Sequence, residues 1–208
     1  VAAAHAQGVF HRDIKPSNVL LDAQHSPVLT DFGLARLRDQ NTSLTLSGQI
    51  IGTPSYLPPE RAAGGRSLSL TDEAAGDVYG IGAVLYHLLT GRPPFVGEGI
   101  AQTLEAVINE EPVAPRRLRP GLERDIETIC LKCLQKEPSA RYASAQTLAD
   151  DLAHFSRGEP IKAVPVGQVT RTIRWCRRRP VSASLVVALM GSVIAGVTST
   201  FIQWQSAV

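Results

Sequence analysis

The residues best able to do chemistry lie close together near the start of the chain. His11-Arg12-Asp13-Ile14-Lys15-Pro16-Ser17-Asn18 places an acid, a lysine and an amide in one short loop, and a second acid follows in Asp31-Phe32-Gly33. Asp13 is placed to orient a hydroxyl and accept its proton. Lys15 can neutralise charge developing on a transferred phosphoryl group. Asn18 and Asp31 offer hard oxygen ligands for Mg²⁺, with Mn²⁺ as an alternative ion. Gly33 permits a backbone turn that a side chain would hinder. This is the set that phosphoryl transfer requires; the competing reading is a surface loop of incidental charges.

Elements must bring these groups together. Val1 to Gly8 is alanine-rich and ends in glycine, as the last turns of a helix do. Val19-Leu20-Leu21 and Pro27-Val28-Leu29-Thr30 flank the polar stretch Asp22 to Ser26, which predicts a small β-hairpin. Such a hairpin would fold the two acids back toward one site. Thr71-Asp72-Glu73 reads as a helix start, followed by Val78, Ile81, Leu85, Leu88 and Leu89 at helical spacing and a stop at Gly91, Pro93 and Pro94. Further helices are expected over 97–111, 122–134 and 144–155, with a proline-rich link from Pro112 to Pro120. The fold class is therefore mainly α with a small β-hairpin.

The two motifs, HRDxKxxN and DFG, resemble the catalytic loop and metal-binding motif of eukaryotic-type protein kinases. The Lys-Pro-Ser-Asn tail resembles the serine/threonine branch. Gly52-Thr53-Pro54-Ser55-Tyr56-Leu57-Pro58-Pro59-Glu60 is similar to the family's substrate-positioning loop, with Pro59 in place of the usual alanine. The resemblance covers roughly Val1 to Phe155 and matches the larger, mainly helical lobe. It implies ATP as cosubstrate, a protein as substrate, Asp13, Lys15 and Thr53 as catalytic residues, and Lys15, Asn18 and Asp31 on the nucleotide and metal. It implies that Asp77 accepts hydrogen bonds from the catalytic-loop backbone and that Glu60 pairs with Arg141. His11, Arg12, Phe32 and Gly33 are assigned to structural support. Thr42, Ser43, Thr45 and Ser47 lie in a polar stretch where a phosphate could pair with Arg12 and order the segment. The alternative is a flexible hydroxyl-rich loop with no regulatory role.

Composition narrows the class. The chain has 208 residues, 44% hydrophobic and 19% charged, with a net charge of +2. That suits a globular core with an appendage and gives no argument for a nucleic-acid partner. Cys130, Cys133 and Cys176 do not form a disulfide framework, so a reducing compartment is expected. Cys130 and Cys133 have CxxC spacing without a second pair or a nearby histidine, and plain core cysteines are favoured over a metal site. His5, His87 and His154 are expected to be structural or surface residues.

Charge becomes uneven toward the end. Five arginines fall between Arg171 and Arg179, and no charged residue follows. Val181 to Trp204 is an uncharged run long enough to cross a bilayer, which takes ~20 residues. The arginines place its N-terminal side in the cytoplasm, and Trp175 and Trp204 bracket it as interface anchors would. A buried soluble helix is the alternative. Cys176 is a candidate for palmitoylation, and Gly191 with Ala195 offers a helix-pairing surface that leaves a homodimer open, the alternative being passive lipid-facing residues. The expected organisation is a kinase C-terminal lobe over 1–158, a basic juxtamembrane linker over 159–180, a transmembrane helix over 181–204 and a tail over 205–208.

The chain begins at Val1, its sole methionine is Met190, and no secretory signal stands at its start. No Gly-rich loop, no strand lysine of the Val-Ala-Ile-Lys type and no partner glutamate precedes the catalytic loop. We therefore expect a fragment that lacks the smaller lobe and is inactive alone. The expected whole is a single-pass serine/threonine kinase of the cell membrane with its catalytic domain in the cytoplasm, similar to bacterial receptor-type kinases. The alternatives are a pseudokinase or membrane-tethered scaffold that binds partners without transferring phosphate, and a truncated gene product.

Overall fold

The computed structural model describes residues 1–32, 54–64 and 69–164, together with Ser184, Leu185 and Ser192. The chain divides into two units, Val1–Pro165 and Val166–Val208. Nearly all described residues belong to the first. It opens with α1 (Ala2–Ala6) and the hairpin β1 (Val19–Leu21) and β2 (Pro27–Leu29). The helices α2 (Pro59–Ala62), α3 (Leu70–Thr90), α4 (Ile100–Asn109), α5 (Pro115–Leu118), α6 (Arg124–Cys133) and α7 (Ala145–Ser156) follow. Among its described residues the first unit is mainly helical with one antiparallel hairpin, the expected class.

Helix α3 is the axis. Ser69 caps it with a reciprocal box: Asp72 N–H donates to Ser69 Oγ at 3.2 Å, and Ser69 N–H donates to Asp72 Oδ2 at 3.3 Å. The helix thus begins before the expected Thr71, because the box needs a hydroxyl three residues ahead of its acid. Gly91 ends it at φ 77°, a left-handed conformation glycine reaches without a Cβ clash.

The buried face of α3 takes in Val78, with Ile81, Leu85 and Leu89 packed against the core, but is wider than its aliphatic residues suggest. Leu88 is 73% exposed. The covered residues are Ala75, Gly76, Asp77, Val78, Tyr79, Gly80, Gly82, Ala83 and Tyr86. Small side chains, invisible to a count of large apolar ones, let neighbours approach the backbone. A Cβ on Gly82 would lie 2.3 Å from Cys133 Cβ, so α6 crosses α3 where glycine leaves room. Two apolar clusters flank this crossing. One joins Val78, Ile129, Cys133, Tyr142, Leu148 and Ala163; the other joins Tyr79, Ala83, Tyr86, Cys130 and Leu134. Each large side chain fully buried there contributes about 1.5–3 kcal/mol.

Cys130 and Cys133 are free thiols inside these clusters. Burial pushes both up, Cys133 to about 12, which keeps them protonated and poor metal ligands. Among the described residues no group of three or more His, Cys, Asp or Glu side chains could hold a metal ion.

The chain stays attached beyond α7. Asp151 accepts the Lys162 and Ala163 backbone N–H groups at 2.8 and 2.9 Å and the Tyr142 hydroxyl at 2.9 Å. Burial pushes the Asp151 carboxyl up, but these three hydrogen bonds and the charge of Lys132 outweigh it and hold it below the usual carboxylate range. The packed unit reaches Pro165, and Ile161 and Ala163 join its core.

Among the described residues no helix is long and apolar enough to cross a membrane. Except for Ser184, Leu185 and Ser192, the span expected over 181–204 lies outside the described residues.

Candidate functional site

The loop of residues 11–18 is held by α3. Asp77, 2% exposed, accepts the His11 N–H on Oδ2 and the Arg12 N–H on Oδ1, both at 2.7 Å. His5 Nε2 donates to Asp77 Oδ2 at 2.8 Å. A buried carboxylate is costly unless satisfied, and here three donors satisfy it. His5, expected only as a structural or surface histidine, is thus part of this support.

His11 is fully buried and ties the loop to the hairpin. Asp13 N–H donates to its Nδ1 at 3.2 Å, and its Nε2 donates to the Thr30 carbonyl at 2.7 Å, which fixes the hydrogen on Nε2. Phe32 packs on the same ring with centroids 4.7 Å apart. The two motifs therefore meet through one imidazole.

The polar groups of the loop converge. Lys15 Nζ lies 2.7 Å from Asp13 Oδ2. Asn18 Nδ2 donates to the Asp13 carbonyl at 2.8 Å and to Asp13 Oδ2 at 3.3 Å. With its amide N–H groups turned to Asp13, Asn18 presents Oδ1 as a hard donor, contacted by Ser17 Oγ at 3.5 Å. Asn18 precedes β1, and its carbonyl accepts the Thr30 N–H at 2.9 Å. The strand register pairs Val19 with Leu29 and sets Thr30 opposite Asn18, so Asp31 follows one residue later. Mg²⁺ is ordinarily held by one or two side chains plus phosphate oxygens. Asn18 Oδ1 and the exposed Asp31 carboxylate fit that requirement.

Two site residues sit in the left-handed region: Arg12 at φ 72° and Asp31 at φ 63°. Each such conformation costs a non-glycine residue about 1–2 kcal/mol. At Arg12 the surroundings impose it. Its N–H is bound by Asp77, its carbonyl accepts from Arg61 Nη1, and its Nε faces Glu73 Oε2 at 3.2 Å. Glu73 also takes Arg61 Nη2 at 2.5 Å. Sequence reasoning missed both Arg61 and Glu73; the one available signal was that Glu73 lies in the first turn of the helix that supplies Asp77.

Below the loop, Arg141 grips Glu60 with two parallel bonds, Nη1 to Oε1 at 2.8 Å and Nη2 to Oε2 at 2.7 Å. It also donates to the carbonyls of Gln135, Ala75 and Lys136. Tyr56, from the expected substrate-positioning loop, places its hydroxyl 2.5 Å from His87 Nδ1 on α3. Burial raises the Tyr56 hydroxyl pKa above its ordinary value. Gly33, Thr53 and the candidate phosphorylation residues Thr42, Ser43, Thr45 and Ser47 lie outside the described residues.

Helix α3 also touches the loop at Gly80, where a Cβ would lie 2.8 Å from Ile14 Cβ and 3.2 Å from the Ile14 carbonyl. Gly80→Ala should therefore push Ile14, and Asp13 and Lys15 with it, out of place. We expect turnover of the full-length protein to fall by about 10²-fold, the effect of a misplacement near 1 Å. The unfolding temperature should move little, because alanine's better helix propensity offsets part of the crowding. Turnover close to wild type would show that the contact does not set the loop.

The family described as "Protein kinase domain" matches residues 1–153. The "Serine/threonine-protein kinase PknB" of Mycobacterium leprae (strain TN) is 37% identical over 163 residues, covering 78% of this chain and 25% of that protein. The "Serine/threonine-protein kinase PkaA" of Streptomyces coelicolor (strain ATCC BAA-471 / A3(2) / M145) is 43% identical over 166 residues, covering 78% of this chain and 28% of that protein. The chain thus spans about a quarter of the length of these curated relatives. Among solved structures, "Crystal structure of Rad53 1-466 in complex with AMP-PNP" is similar with a TM-score of 0.54 and 25% identity, covering 70% of this chain and 34% of that one.

Proposed function

Because this chain belongs to the protein kinase domain family, we propose that it is the C-terminal lobe of a serine/threonine kinase that transfers the γ-phosphate of ATP to protein hydroxyls. The observation that carries the reading is the convergence of Lys15 and Asn18 on Asp13. Asp13 orients the substrate hydroxyl and takes its proton as the new oxygen–phosphorus bond forms. The bond from the γ-phosphorus to the bridging oxygen breaks, and ADP leaves. Lys15 screens the charge on the phosphoryl group in flight. Asn18 and Asp31 would hold the Mg²⁺ that supplies charge neutralisation on the phosphates. Thr53 would contact Asp13 and Lys15. The intact set of Asp13, Lys15, Asn18 and Asp31 favours this reading over a scaffold that binds partners without transferring phosphate.

The site has one wall here. Leu20 and Val28 oppose each other on the hairpin and are 55% and 45% exposed. Both the relatives' greater length and this uncovered apolar pair support a second, smaller lobe outside the chain. The test is phosphate transfer from labelled ATP to a serine- and threonine-containing protein substrate. The full-length protein should catalyse it and residues 1–208 should not. Absence of transfer by the full-length protein would overturn the reading.

The same proposal places the catalytic unit on the cytoplasmic side of a membrane, anchored by residues 181–204. Its support is the uncharged run after five arginines. Full-length protein should sediment with membranes and resist extraction by high salt, and deletion of residues 181–208 should release it. If the deleted form stays with the membrane fraction as the parent does, the anchor lies elsewhere.

A further inference from the structure

The charged cluster beside Asp13 suggests how the loop is set. Arg12 immediately precedes Asp13 and holds a left-handed backbone conformation. Arg12, Arg61 and Glu73 are largely covered, with side chains 18%, 15% and 13% exposed. Glu73 receives both guanidinium groups on one oxygen, Oε2. Arg61 then reaches with its other arm to the Arg12 carbonyl. Glu73 therefore holds Arg12 twice, directly through Nε and indirectly by aiming Arg61 at its backbone. Arg12 Nε has no hydrogen-bond partner among the described residues, so this ion pair is what satisfies it.

We propose that Glu73 is a positioning residue of the catalytic loop, an internal carboxylate that keeps Arg12, and with it Asp13, in place without a phosphate on residues 33–53. The proposal rests on the kinase reading above. Without the Glu73 charge, two covered guanidinium groups would face each other with no anion between them. Desolvation and like-charge repulsion would drive them apart and release the Arg12 carbonyl. A phosphate on Thr42, Ser43, Thr45 or Ser47 would then become the substitute anion. With Glu73 present, the cluster keeps one surplus positive charge. Such a phosphate could add to it but would not be needed to hold the loop.

The test uses the full-length protein as wild type, Glu73→Gln and Glu73→Asp, each treated with a protein phosphatase and then assayed for initial rate. Dephosphorylated wild type should retain most of its turnover. Dephosphorylated Glu73→Gln should fall by about tenfold or more in kcat with KM for ATP little changed. It should recover as it phosphorylates itself. Glu73→Asp should restore much of the lost rate. A purely structural role would not create this dependence on phosphate. Hydrogen exchange supplies a readout that needs no activity. In Glu73→Gln, amides of residues 9–15 should exchange about tenfold faster while those of α6 keep their wild-type protection.

The proposal fails if dephosphorylated Glu73→Gln turns over like wild type, or if wild type loses as much rate as the variant on phosphatase treatment. It also fails if exchange rises equally in α6. A wild type with no phosphate transfer at all would refute the kinase reading instead, and the exchange result would then decide the clamp alone.

Discussion

Asp13→Asn in the full-length protein is expected to lower phosphate transfer by about 10³-fold, the range lost with a general base. The amide keeps the shape of the carboxylate but cannot take the hydroxyl proton. The fold should survive. The Asp13 side chain is 42% exposed, and a partly exposed pair such as Lys15–Asp13 contributes at most about 1 kcal/mol. The unfolding temperature should therefore drop by no more than about 4 °C. Rates of labelled-phosphate transfer and a thermal scan on the same preparation check both halves. Unchanged transfer would remove Asp13 from its assigned role. Lost transfer with a collapsed transition would mean that the residue holds the fold instead.

Arg141→Ala should have the largest effect on stability, about 3–5 kcal/mol. The Arg141 side chain is fully covered and Glu60 is 13% exposed. Truncation would leave a covered carboxylate without its Arg141 partner and remove one donor each from the Gln135, Ala75 and Lys136 carbonyls. The guanidinium also lies over the Tyr79 ring at 5.0 Å, so packing is lost with the charge. Arg141→Lys should rescue little, since an ammonium cannot reproduce the two-pronged grip. Scanning calorimetry of the full-length protein should show the transition of this unit lowered by on the order of 10 °C. A shift of only a degree or two would mean that the pair is dispensable.

Much of this was legible because it is local. The hairpin follows from two apolar runs around Asp22, whose Oδ1 accepts the Gln24 and Ser26 N–H groups and closes the turn. The order of helices follows from caps and stops: Ser144 caps α7, and Gly91 ends α3. Asp13, Asn18 and Asp31 stand out in the sequence because the chemistry proposed for them demands fixed spacings. What the sequence hid is long-range. Arg61 reaches the Arg12 carbonyl across 49 positions, and His5 reaches Asp77 across 72. Nothing in their neighbours records those meetings, which arise when α3 packs behind the loop. Part of the buried face of α3 was obscured for a related reason. Its closest contacts are made at Gly80 and Gly82, where the informative feature is a missing side chain.

The Asp151 clasp bears on mechanics. Two backbone N–H groups, at Lys162 and Ala163, end on one carboxylate, and Ala163 is buried in the core. A pull on the chain past Pro165 would first load that carboxylate and then, through the Tyr142 hydroxyl, the cluster that backs α3. The load would pass from Ala163 through Asp151 and Tyr142 to Val78 on α3, the helix that carries Asp77 and Glu73. Residues 162 and 163 are thus wired, through one carboxylate, to the helix that supports the loop of residues 11–18.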